Sequence, residues 1–184
     1  MKRVLMPFSD GVEEIECIAV VDILRRAGVE VVLASLDGGA VTGRSVITIQ
    51  PDAALADVQD QEWDMVVLPG GLPNADLLRE NERVKAVVQR LSRQRRHVAA
   101  ICAAPTALAA YGVVDGRRIT SYPAAREAIG KLAPDAIYCD DAVVEDDFLV
   151  TSRGAGTAVE FALRLVQRLC GQEKADEVRK SIVG

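Results

Sequence analysis

A single histidine, His97, stands in the 184 residues, and none of the four cysteines belongs to a C-x-x-C pair. Cys17, Cys102, Cys139 and Cys170 are scattered along the chain. That leaves too few His and Cys ligands for a zinc site, and neither a metal nor another cofactor is expected. An even cysteine count permits disulfides, but a chain of this size in a reducing compartment does not need them. No apolar run approaches the ~20 residues that span a bilayer. Basic residues are outnumbered, 22 Lys and Arg against 27 Asp and Glu, so the basic footprint of a nucleic-acid binder is missing. The opening MKRVLMPFSDGVEE turns acidic almost at once, unlike a secretory signal. The expectation is a soluble cytoplasmic protein with neither nucleic acid nor membrane among its partners. Repeats, low-complexity stretches and linkers are also missing, so residues 1–184 read as one domain.

What is present is an alternation of short apolar strands and helices. Strands are expected over Lys2–Phe8, Glu30–Ser35, Asp64–Leu68, Val98–Ile101 and Arg118–Ser121. Helices are expected over Glu13–Ala27, with Gly28 ending it, and over Asn81–Arg95. Another runs from Cys102 through Ala110, and two more cover Thr157–Cys170 and Glu173–Lys180. Residues 37–50 and Ala142–Ser152, the latter around Asp146-Asp147, read as hairpins. Such a pattern implies βαβ units, an α/β fold and a mostly parallel sheet covered on both faces. Sites in such sheets form beyond the carboxyl ends of strands. The loops after Phe8, Leu68 and Ile101 are the candidates.

Two residues in those regions carry chemistry. Drawn at ~100° per residue, the first helix has an apolar stripe of Val12, Ala19, Val20, Ile23 and Ala27, with Glu16 at its centre. Glu13 falls at the edge of that stripe and Glu14 away from it. An unpaired carboxylate on a core face is costly, so Glu16 either reaches water at an edge, stays protonated, or has a partner. A functional acid with a raised pKa is the sharper reading. Ile18 and Val21 fall on the outward side, which points to a subunit interface.

The second is Cys102, in VAAI-Cys102-AAPTALAA. A buried strand turns into a helix there between small residues, Ala100 and Ala104, which is the steric logic of a nucleophile elbow. Pro105 suits the first helical turn. Free N–H groups at the helix start are expected to lower the thiol pKa, favouring nucleophilic attack or oxidation to a sulfinate. Gly70 and Gly71 after a buried strand could aim backbone N–H groups at an anion and complete an oxyanion hole. Cys17 and Cys170 sit within helices and read as structural.

Taken in order, Gly11–Glu16, Val21–Gly28, Leu68–Gly71, Ala99–Ala107 and Thr151–Thr157 resemble the ThiJ/PfpI superfamily over nearly the whole chain, and most of all its Parkinsonism-associated deglycase branch. The resemblance implies a flavodoxin-like three-layer sandwich and a homodimer through the first helix. It also implies a Cys102 nucleophile hydrogen-bonded to a protonated Glu16. An oxyanion or sulfinate pocket of Gly71 and Ala103 N–H groups would adjoin them, with Arg153 near the entrance. Many members of that family carry histidine where this chain has Tyr122, before Pro123. With His97 at the start of a strand, a Cys-His peptidase lacks its base. No G-x-x-x-x-G-K-[ST] phosphate loop occurs. The implied activity is glutathione-independent conversion or deglycation of a small 2-oxoaldehyde. The alternative is an oxidative-stress sensor or redox chaperone without significant turnover.

Overall fold

The computed structural model describes residues 1–184. In chain order its elements are β1 (Arg3–Phe8), α1 (Glu14–Arg26), β2 (Glu30–Ser35), β3 (Val41–Thr42), β4 (Thr48–Ile49) and β5 (Ala53–Ala54). Then come α2 (Leu55–Val58), β6 (Met65–Leu68), α3 (Asn74–Glu80), α4 (Glu82–Arg93), β7 (His97–Ile101), α5 (Pro105–Ala110) and β8 (Arg118–Ile119). The chain closes with α6 (Arg126–Leu132), β9 (Ile137–Tyr138), β10 (Val143–Asp146), β11 (Leu149–Ser152), α7 (Ala158–Cys170) and α8 (Gln172–Ser181).

Seven strands make one sheet in the order β10-β11-β7-β6-β1-β2-β5. All pairs are parallel except the β10–β11 hairpin. Strand alternation sorts the core into two layers. Val4, Met6, Phe8, Met65, Val67, Ala99 and Ile101 face one apolar cluster, which α1, α7 and α8 cover. Leu5, Val66, Leu68, Val98 and Ala100 face the other, against α4 and α5. This is the expected flavodoxin-like α/β sandwich, with both faces buried as a parallel sheet requires.

Both predicted hairpins form: β3 with β4, and β10 with β11. The strand expected over Arg118–Ser121 shortens to β8 and leaves the main sheet to pair with β9. The backbone N–H of Thr120 is taken by the Thr151 hydroxyl at 2.9 Å, a side-chain bond in place of a ladder bond. Val21, expected on the outward face of α1, is instead in the core, while Ile15 and Ile18 are the exposed apolar residues of that helix. Val21 stands two helical turns after Glu14, whose carboxylate the β3–β4 loop covers, and it joins the cluster that holds Val41 of β3 and Ile49 of β4.

The sheet changes direction at β1, which is flanked by β2 on one side and β6 on the other. Chain segments therefore leave the carboxyl ends of β1, β6 and β7 on neighbouring strands. The three candidate loops converge at this switch point, where open α/β sheets place their ligands.

Candidate active site

Cys102 follows the last residue of β7 with φ +64°, a left-handed conformation that a non-glycine residue rarely holds. Two backbone bonds hold it there. The Cys102 N–H donates to the Ser152 carbonyl at 3.0 Å, and its carbonyl accepts the Tyr122 N–H at 2.8 Å. The chain then turns through Ala103 and Ala104 into α5, so the expected elbow is present. The thiol is half-buried at the floor of a cleft of about 670 Å³.

Glu16, 1% exposed, reaches this floor from α1. Its Oε2 accepts the Gly70 N–H at 3.0 Å, and its carboxyl lies beside the Cys102 thiol, near enough for each to shift the other's pKa. The Glu16 backbone N–H is capped by the Glu13 carboxylate at 2.8 Å. Glycine is required at 70 because an added Cβ would lie 2.4 Å from Glu16 Oε2 and 2.6 Å from Cys102 Cβ. Gly71 sits at φ +89°, and a Cβ there would meet the Gly11 carbonyl oxygen at 2.2 Å. The N–H groups of Gly71 and Ala103 lie near enough to the Cys102 sulfur to pull its pKa down.

One expectation is corrected here. Gly70 does not offer its N–H to an incoming oxyanion, since Glu16 already takes it. A second correction concerns the thiol. Burial and the neighbouring Glu16 carboxyl push Cys102 up to about 12, against the opposing pull of the Ala103 and Gly71 N–H groups. Helix α5 begins three residues after the cysteine and has only six residues, so its dipole adds little. Burial also raises Glu16, to about 7, against the lowering effects of the thiol, the Gly70 N–H and Arg44. Each group keeps its own proton below about pH 7, and above that the thiol holds the one that remains, so the two titrate as a pair.

The sign of the linked stability follows. Glu16 ionises freely near 4.5 when unfolded but holds its proton to about 7 when folded. Its stabilising effect is complete below pH 4.5 and is lost as pH rises through about 7. Glu16→Gln has no such term. Between pH 4.5 and pH 8 its unfolding free energy, read from urea titrations, is expected to gain roughly 3 kcal/mol relative to the native chain.

Tyr122 lines the cleft, as expected from its place before Pro123, and it is largely exposed. Arg153 does not line it. Its guanidinium turns to the Asp140 carbonyl at 3.0 Å, and its N–H donates to the Ala142 carbonyl at 3.2 Å. The cation in the cleft is Arg44. It is carried by the β3–β4 loop, whose Ser45 N–H is held by the buried Glu14 carboxylate at 2.8 Å. These two residues and Asn74 were not visible as site residues. Asn74, fully buried, accepts the Ser9 N–H and donates to the Pro69 and Gly70 carbonyls, tying the loops after β1 and β6 together. An Asn at the start of a helix gave no signal for that bridging role. His97 opens β7, at the end of the strand away from Cys102.

The 2–168 segment matches the family model described as "DJ-1/PfpI family". The chain belongs to the DJ-1/PfpI family. Among its relatives are Drosophila melanogaster protein dj-1beta, 43% identical over 99% of this chain and 97% of that one. Caenorhabditis elegans glutathione-independent glyoxalase DJR-1.2 is 35% identical, over 97% of this chain and 94% of that one. The crystal structure of Drosophila DJ-1beta superposes with a TM-score of 0.93 at 42% identity, covering 99% of this chain and 97% of the other. An oxidised Toxoplasma gondii DJ-1 gives 0.93 at 31% identity, covering 100% and 98%.

In this DJ-1/PfpI chain Arg44 is close enough to lower the Glu16 pKa. Arg44→Met is therefore expected to move the acid limb of any Cys102-dependent pH–rate profile upward, by a few tenths of a unit or more. A limb left in place would show that Arg44 and Glu16 do not communicate.

Proposed function

We propose that this protein converts 2-oxoaldehydes such as methylglyoxal to 2-hydroxy acids without glutathione. The observation that carries the reading is the buried Glu16 carboxyl, held by the Gly70 N–H, beside the Cys102 thiol in one open cleft. A nucleophile and an acid–base group thus stand side by side. A relative named as a glutathione-independent glyoxalase supports it.

In this mechanism the reacting form has Glu16 ionised and Cys102 as the thiol: the sulfur forms a bond to the aldehyde carbon while its proton, taken up by Glu16, passes on to the aldehyde oxygen. The product of this step is a hemithioacetal, and Glu16 is left ionised. Glu16 then removes the proton from that carbon and delivers it to the adjacent former ketone carbon. A hydroxyl proton moves between the two oxygens, and a thioester results. Water breaks the C–S bond, releasing the 2-hydroxy acid and the Cys102 thiol. No net oxidation occurs, and water is the only co-reactant. The Gly71 and Ala103 N–H groups would hold the developing oxyanion. Removal of early glycation adducts would use the same first steps. The working unit in this proposal is a homodimer joined through α1, whose Ile15 and Ile18 are exposed.

A second reading, redox sensing, draws on those same two N–H groups, which would hold sulfinate oxygens, and on a relative whose structure is described as oxidised. Graded peroxide treatment separates the two. Under the enzymatic reading, lactate formation from methylglyoxal falls in step with the gain of two oxygens on the Cys102 peptide. A native protein with no lactate formation before oxidation leaves sensing as the function.

A further inference from the structure

The chain has three phenylalanines, three tyrosines and one tryptophan. Phe8, Phe148, Phe161, Tyr111 and Trp63 are buried, and Tyr138 is half-covered beneath the Arg126 guanidinium. Only Tyr122 is exposed, at 52%, and it lines the cleft above Cys102. Leu72, at 61%, lines the same cleft. Two large apolar side chains left in water at the mouth of a site are a binding surface in want of a ligand.

The Tyr122 backbone is held on both sides. The Tyr122 N–H is bonded to the Cys102 carbonyl at 2.8 Å, and its carbonyl accepts from Ala125 N–H at 2.9 Å and Ser121 Oγ at 3.0 Å. The ring is thus registered to the nucleophile itself. One point beside Gly154, where a Cβ would stand, lies 3.6 Å from Tyr122 Cδ2, 3.9 Å from Glu16 Oε1 and 4.0 Å from Cys102 Sγ. The phenol ring, the acid and the sulfur therefore border one space. Methylglyoxal offers a single methyl group to these walls, while a cleft of about 670 Å³ is in the range that holds drug-sized ligands.

We propose that Tyr122 and Leu72 form an apolar clamp for a substituent on the carbonyl substrate, so that aryl and branched-alkyl 2-oxoaldehydes are preferred over methylglyoxal. As a statement about substrate it rests on the glyoxalase reading. As a statement about the cleft it does not, and the test uses both.

Alkylation of Cys102 needs no turnover. The sulfur displaces iodide from iodoacetanilide, which carries a phenyl arm, or from iodoacetamide, which does not. The thiol proton is released to Glu16 or to water. Labelling is followed on the Cys102 peptide by mass spectrometry, because Cys139 and Cys170 are not buried. The ratio of the two second-order rates, divided by the same ratio for free cysteine, is expected to be about tenfold in the native protein, the equivalent of ~1.4 kcal/mol. Tyr122→Ala and Leu72→Ala are expected to bring it toward one, and Tyr122→Phe to keep it. Initial kcat/KM values for phenylglyoxal over methylglyoxal are expected to follow the same order across the four proteins.

A native ratio equal to that of free cysteine overturns the clamp, as does a ratio indifferent to Tyr122→Ala. If the labelling preference holds while neither aldehyde is turned over, the clamp stands and the glyoxalase reading falls. If methylglyoxal is turned over with no labelling preference, the clamp alone falls.

Discussion

Glu16→Gln is expected to lower lactate formation from methylglyoxal by about 10²- to 10⁴-fold while the fold is kept and Cys102 can still be alkylated. Glutamine retains an oxygen to accept the Gly70 N–H, which Glu16 accepts at 3.0 Å, so the geometry of the floor survives. What it loses is the ability to carry a proton between two carbons. It also removes the negative charge that, after burial, does most to push the thiol up. Iodoacetamide should therefore label Cys102 in the variant no more slowly than in the native chain. A variant that loses labelling along with turnover would mean that Glu16 holds the nucleophile in place rather than moving protons. A variant that turns over at the native rate would remove Glu16 from the mechanism.

Gly70→Ala tests the same floor by sterics. Its methyl group would arrive 2.4 Å from Glu16 Oε2, 2.6 Å from Cys102 Cβ and 3.0 Å from the Ile101 carbonyl oxygen. The last two contacts are a Cβ and a backbone atom, which cannot swing aside. The acid and the nucleophile must part by a substantial fraction of an ångström, a displacement that typically costs about 10²-fold in rate. Overpacking should also destabilise the fold by about 1–3 kcal/mol. Gly130→Ala is the control. Gly130 lies in α6 with nothing within 4 Å of its added Cβ, and alanine there should stabilise by roughly 0.5–1 kcal/mol. Turnover by Gly70→Ala within threefold of native would show that the Glu16–Cys102 contact is not needed.

The parts of the site that the sequence displayed were those with a local cause. Glu16 stood out because a helix stripe is periodic and a carboxylate breaks it, and burial to 1% exposure confirms the pattern. Cys102 stood out because small residues on both sides of a strand–helix turn have a steric meaning, and its φ of +64° is that meaning made concrete. Long strands and helices, from β1 through α8, were legible for the same reason. Several short helices were not. Helices α2, α3 and α6 have four to seven residues, too few for a periodic signal.

Contacts across long sequence separations were equally hidden. Asn74 bonds to Ser9, 65 residues away, and Glu14 to Ser45, 31 residues away. Glu14 was placed on the solvent side of the helix wheel because the wheel knows nothing of the β3–β4 loop that covers it. The same loop supplies Arg44, which took the place at the cleft expected of Arg153. The thiol was expected to be lowered by its helix. Burial and the neighbouring Glu16 carboxyl outweigh the Ala103 and Gly71 N–H groups, and α5 is only six residues long.

The central claim, that Cys102 turns over a 2-oxoaldehyde, is tested most directly by lactate formation from methylglyoxal, without glutathione, in native protein and Cys102→Ala. The side chain is half-buried, so the alanine variant should fold. Native turnover with loss of at least about 10³-fold in the variant is the expected result. Native protein no faster than Cys102→Ala would contradict the account.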